Sequence, residues 1–165
     1  MKNKTPLYLA QGAAIAAVYV VLTLVFAPIS YGEVQVRISE ALTILPFFTP
    51  AAIPGLFVGC IIANILGGCI LPDIIFGSLA TLIGAIGSYL LRKNPYLVPV
   101  PPIVSNTIIV PLVLFYGYGV NLPIPFMMLT VGIGEGISCG VIGLIFLFAL
   151  KKYGMSIFPN LNTVS

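Results

Sequence analysis

The chain has 165 residues, of which 59% are hydrophobic and 7% charged, with seven Lys and Arg, four Asp and Glu, and no His. A soluble domain carries about a quarter charged residues, so this composition cannot cover a water-facing surface and indicates an all-α integral membrane protein, in agreement with the mean hydropathy of +1.16. The net charge of +3 forms no dense basic face of the kind nucleic acid requires, and the length leaves room for one transmembrane domain over 1–165 and for no soluble ATPase, catalytic or DNA-binding domain.

Six apolar segments are expected, at about 7–27, 39–48, 51–68, 72–92, 103–118 and 126–150. The first is closed by Pro28; at about 20 residues it exceeds a signal-peptide core and reads as a retained helix. A polar loop from Ser30 to Ser39 follows, holding Glu33, Gln35 and Arg37. The second helix is short, ended by Pro46 and Thr49-Pro50. The third stops at Gly67-Gly68, and the fourth opens at Pro72-Asp73 and ends at Arg92. Pro95, Pro99, Pro101 and Pro102 make a stiff connection, and Pro111 predicts a kink in the fifth helix. Gly119 to Pro125 form a turn, and the tail 153–165 is polar.

Six of the seven basic residues favour one side. Lys2 and Lys4 precede the first helix, Arg92 and Lys93 follow the fourth, and Lys151 and Lys152 close the sixth. An excess of Lys and Arg marks cytoplasmic loops, so six spans with both termini in the cytoplasm fit the pattern. Only Arg37 falls outside, near Glu33 and Glu40. Cys60, Cys69 and Cys139 lack CxxC spacing and read as small buried side chains.

Ala10, Ala13, Ala14 and Ala17 form a flat stripe on the first helix. In lipid such a stripe serves either internal packing or docking of another membrane subunit. Gly132, Gly136, Gly140 and Gly143 form a second stripe, expected inside the bundle. Glu135 lies well inside the sixth helix, where a carboxylate is costly unless paired or wetted. It is either structural or a ligand contact. Asp73 is placed to cap the fourth helix or to bind ligand. Glu33, Arg37 and Glu40 are spaced to pair on one helix face. Asn64 and Asn106 each offer a donor and an acceptor in an apolar helix, for a helix–helix bond or for a ligand. With no His, a Ser-His or Cys-His nucleophile is excluded. No phosphate loop or metal-ligand cluster is visible, so no cofactor, metal or catalytic residue is expected, and an enzyme would have to run on scattered carboxylates.

Three segments carry a resemblance. They are the stretch from Tyr31 to Gly68, including Arg37-Ile-Ser-Glu-Ala-Leu; Leu71-Pro-Asp-Ile-Ile-Phe-Gly-Ser; and Val131-Gly-Ile-Gly-Glu-Gly-Ile-Ser-Cys. They resemble the QueT family over about residues 8 to 152. The resemblance implies the six-helix bundle of an S component, the substrate-binding subunit of an energy-coupling factor (ECF) importer. It implies a queuosine precursor, a 7-deazaguanine base, as cargo. It also implies a transmembrane T subunit and two cytoplasmic ATPases as partners, which hydrolyse the ATP, with Ala10, Ala13, Ala14 and Ala17 meeting the T subunit. The residues themselves suit such a base. One carboxylate can accept its N1–H and amino group together. Glu40, Asn64, Asp73, Tyr116 and Glu135 are expected to converge around it, with Arg37 and Asn106 beside them and the 30–39 loop as a lid. Tyr31, Tyr116 and Tyr118 lie near the expected mouth. Two other readings stay open: an S component for a different small nutrient, or a membrane module outside transport, either a scaffold or a carboxylate-based enzyme.

Overall fold

The computed structural model describes residues 5–30 and 36–153. The expectations placed on Lys2, Lys4, Tyr31, Glu33, Gln35 and the tail beyond Tyr153 fall outside these residues, as does the 31–35 part of the expected lid. The described residues form six main helices, a single helical turn at Ala27–Ser30 and no strand; the main helices are α1 Thr5–Val25, α2 Ile38–Phe47, α3 Ala52–Leu66, α4 Asp73–Leu90, α5 Pro95–Tyr116 and α6 Ile124–Tyr153. Each overlaps one of the expected segments, although α5 begins at Pro95 and not near 103. Four of them, α1, α4, α5 and α6, are long and apolar enough to cross a bilayer. The 15 residues of α3 rise about 22 Å at 1.5 Å each, short of the roughly 30 Å hydrocarbon core.

The boundaries differ from expectation in two instructive places. Residues 95–102 are not a plain connection. A 3₁₀ turn spans Pro95–Leu97 and the α-helical part of α5 starts at Val100, because the first turn of a helix needs no N–H from its prolines. The α2 segment winds as a 3₁₀-helix with Pro46 inside it. Missing the N–H of a proline costs less in such a short piece, and every residue from Ser39 to Phe47 is nevertheless buried. The α2 helix is therefore the central element, wrapped by the others.

Small residues set the helix separations. A Cβ on Gly55 of α3 would lie 2.6 Å from the Gly12 carbonyl oxygen of α1, and one on Gly59 would lie 3.1 Å from the Ala16 Cα. The two backbones thus touch along Gly12, Ala16, Gly55 and Gly59, and such close approach maximises dispersion contacts in lipid. In the same way Gly84 and Gly87 of α4 receive the rings of Pro102 and Pro101 of α5. Of the α6 glycines, Gly143 meets Ile44 of α2 and Gly132 meets Thr107 of α5, whereas Gly136 faces open space.

The bundle has two distinct ends. Tyr8 of α1 bonds the Pro50 carbonyl, and Tyr96 packs on Phe148 with ring centroids 5.5 Å apart. The start of α1, the α2–α3 link, the α4–α5 link with Arg92 and Lys93, and the end of α6 with Lys151 and Lys152 therefore share one end. At the other end the Ile70 N–H donates to the Tyr118 hydroxyl at 3.4 Å, joining the α3–α4 and α5–α6 loops.

Candidate ligand site

Each acid that sequence reasoning singled out within the described residues sits on an irregular turn of helix. Glu40 is in the first turn of the 3₁₀-helix α2. Asp73 opens a π-turn, Asp73–Gly77, at the start of α4. Glu135 is the last α-helical residue before a π-turn, Gly136–Ile142, in α6. Single π-turns in α-helices mark functional sites often. They shift side chains off the regular stripe, and with the 3₁₀ winding of α2 they accompany three carboxylates that are buried in the bundle.

The carboxylates are joined by a continuous polar network. Glu40 is fully buried; its Oε1 accepts from the Tyr19 hydroxyl of α1 and from Thr81 Oγ1 of α4, the latter at 3.1 Å. Thr81 Oγ1 also lies 3.5 Å from Cys60 Sγ of α3. Asn64 Nδ2 lies 3.7 Å from the same sulfur and donates to the Asp73 carbonyl at 3.4 Å. Asp73 Oδ2 accepts from the Tyr118 hydroxyl at 3.0 Å. On the other side, Cys139 Sγ donates to Glu135 Oε2 at 3.2 Å and touches the Glu40 carbonyl at 3.3 Å. Asn106 of α5 hydrogen-bonds Glu135. Arg37, also buried, places Nη1 3.9 Å from Cys60 Sγ and interacts electrostatically with Glu40, Asp73 and Glu135.

The network is incompletely satisfied. Glu40 Oε2 and Asn64 Oδ1 are buried without a hydrogen-bond partner. An unmade bond on a buried acceptor is costly, about 1–3 kcal/mol and more for a charged group. Two such acceptors in one cluster are poised for donors supplied by a ligand. Oxygens of Glu40 and Glu135 and the Cys139 sulfur lie within 4.8 Å of one another. Each offers one atom that a cation could approach.

At the end of the bundle away from the basic residues, the loop groups carry the field of Asp73. The Tyr118 hydroxyl is pushed up by burial and then by the Asp73 charge. The Cys69 thiol is pushed up to about 11 by the same two causes in the same order.

The structure brings together Arg37, Glu40, Asn64, Asp73, Asn106 and Glu135. It does not bring Tyr116 to them. Tyr116 is 77% exposed and lines an apolar groove of about 550 Å³ between α4 and α5, with Phe76, Leu79 and Ile109. One residue pair explains the miss: Tyr116 and Tyr118 sit on opposite sides of the helix end, and it is Tyr118 that turns inward. Sequence reasoning also passed over Tyr19, Thr81, Cys60 and Cys139. Tyr19 carried a signal, since it lies mid-helix whereas interfacial tyrosines lie at helix ends. The two cysteines are buried as expected, yet they bridge the polar groups.

The stripe of Ala10, Ala13, Ala14 and Ala17 is exposed along its whole length. Gly12, Ile15, Ala16 and Tyr19, on the opposite side of α1, make the internal contacts.

A family described as the QueT transporter matches residues 9–152. The chain belongs to the QueT transporter family. A similar curated protein is the queuosine precursor transporter QueT of Lactococcus lactis subsp. cremoris, 40% identical over 73 residues. That match covers 43% of this chain and 43% of the relative, so it spans less than half of either protein. No solved structure is significantly similar to the chain.

Proposed function

We propose that this protein is the substrate-binding S component of an ECF-type importer and takes up a queuosine precursor, a 7-deazaguanine base, while partner ATPase subunits hydrolyse ATP. The observation that carries this reading is the enclosed cluster of Glu40, Asn64, Asp73, Asn106 and Glu135 with two unmet buried acceptors. A guanine-like edge presents an N1–H and an amino group side by side, and a carboxylate, Asp73 or Glu135, accepts both. The amides of Asn64 and Asn106 answer the ring carbonyl and nitrogens. Three carboxylates against one guanidinium suit a neutral or cationic base and repel an anionic vitamin. Six spans with both termini in the cytoplasm of a prokaryotic cell complete the reading. It is supported by the shared end of Arg92, Lys93, Lys151 and Lys152, since an excess of Lys and Arg favours the cytoplasmic side; in this reading the Asp73–Tyr118 end faces outside. The exposed alanine stripe on α1 supports docking on the T subunit.

Titration of the purified chain with 7-deazaguanine bases tests the cargo, and co-purification with a T subunit and two ATPases tests the assembly. Saturable binding of a deazaguanine together with capture of all three partners is expected. Binding of a different nutrient in competition uptake assays would reassign the cargo, and failure to recruit any of the three subunits would remove the protein from this transporter class.

A further inference from the structure

Three carboxylates, Glu40, Asp73 and Glu135, share the buried cluster with one guanidinium, Arg37. Glu40 and Glu135 are the closer pair, reached from opposite sides by α2 and α6, with oxygens within 4.8 Å. Two carboxylates this close need a proton or a cation between them. Glu40 Oε1 is already engaged by Tyr19 and Thr81, whereas its Oε2 is buried with no partner. On Glu135, Oε2 takes the Cys139 thiol.

Resting on the function proposed above, we propose that the Glu40–Glu135 pair reads the charge of the cargo's side arm, so that a 7-deazaguanine with an ammonium arm binds in preference to one with an uncharged arm. The geometry is that of an ammonium bridge. A charge-assisted N–H···O bond is about 2.8 Å long. Oxygens of the two carboxylates lie within 4.8 Å of one another, so one nitrogen can reach both with two of its N–H bonds. Its third hydrogen remains for a neutral acceptor. A nitrile arm has no donor and points a lone pair at both anions. A hydroxymethyl arm has one donor and no charge, and it leaves one carboxylate unmet. With the arm held by this pair, the base edge is left to Asp73 and Asn64, whose Oδ1 is the second unmet acceptor.

The test is calorimetric titration of the full-length purified chain with three ligands: 7-aminomethyl-, 7-hydroxymethyl- and 7-cyano-7-deazaguanine. The aminomethyl ligand is expected to bind about tenfold to hundredfold more tightly than the other two, the ratio that one charged hydrogen bond supplies. Glu135→Gln should bring the three Kd values within about threefold of each other by weakening only the aminomethyl ligand, and Glu40→Gln should do the same if the glutamine at 135 impairs folding. Asp73→Asn should weaken all three alike. Equal or tighter binding of the cyano ligand, or a preference for the ammonium arm that survives both glutamine variants, overturns the charge-reading role while leaving the deazaguanine reading intact. No binding of any of the three overturns both.

Discussion

Asp73 governs the chemistry of its neighbours, and Cys69 reports on it. Burial and the Asp73 charge hold the Cys69 thiol up to about 11 from an ordinary 9. The sign is direct: raising the pKa lowers the thiolate fraction at any pH below it. At pH 8 that fraction, and with it the rate of maleimide labelling, should be about a hundredfold lower than for a free cysteine. The rate should keep climbing up to about pH 11. Removing the charge with Asp73→Asn should speed labelling at pH 8. An unshifted profile that levels near 9, measured by stopped-flow labelling, would show that Cys69 does not sense Asp73. For the 7-aminomethyl ligand, Glu135→Gln should cost about 1.5–3 kcal/mol of binding because a charged acceptor is lost. If neither Glu135→Gln nor Asp73→Asn alters the Kd in calorimetry, recognition through a carboxylate is wrong.

At the scale of helices, the sequence identified most of the elements and part of the site, and the physical reason for the limit is local. Apolar runs punctuated by Pro and Gly locate six helical segments, but the proline-rich start of α5 at Pro95 reads as a connection in the sequence. Acids in an apolar chain identify themselves, because nothing but function or pairing keeps a charge there. What periodicity could not supply is the hand of each turn. The π-turns after Asp73 and Glu135 and the 3₁₀ winding of α2 rotate side chains by a fraction of a turn, and the loop after α5, which begins at Gly117, brings Tyr118 and not Tyr116 to Asp73. The two sides of α1 were likewise not separable by spacing, since Gly12 and Ala16 have the same small-residue rhythm as the alanine stripe. Contact geometry separates them. Gly55→Ala would drive a Cβ to 2.6 Å from the Gly12 carbonyl oxygen, and neither backbone can yield alone. The cost should be about 1–3 kcal/mol, as for other overpacked sites. Gly136→Ala meets nothing within 4 Å and should be neutral or stabilising by up to about 1 kcal/mol. Thermal unfolding in detergent that ranks the two variants the other way would refute the α1–α3 seam.

For the whole molecule, binding and coupling are expected to reside on different faces of the same helix. The inner side of α1 gives Tyr19 to Glu40, while Ala10, Ala13, Ala14 and Ala17 look outward with no polar group that could specify a base. A bulky side chain on the outer face therefore adds surface without disturbing the polar cluster. If the T subunit packs there, the same side chain holds two backbones apart and forfeits their dispersion contact. Ala14 lies beside a shallow apolar groove of about 280 Å³ lined with Ile15, Val18, Leu42 and Phe146, so a large residue has room to lie along the isolated chain. Ala14→Trp should thus leave the Kd for the deazaguanine within about twofold of the parent. It should also abolish ATP-dependent uptake and weaken co-purification with the T subunit. The inner-face change Tyr19→Phe should do the reverse, weakening the ligand through the loss of a donor to Glu40 while the complex still assembles. Calorimetry and pull-down on the same two preparations decide the matter. If Ala14→Trp destroys ligand binding while the complex still forms, the alanine stripe is part of the packing around the site, and coupling must be sought on another face of the bundle.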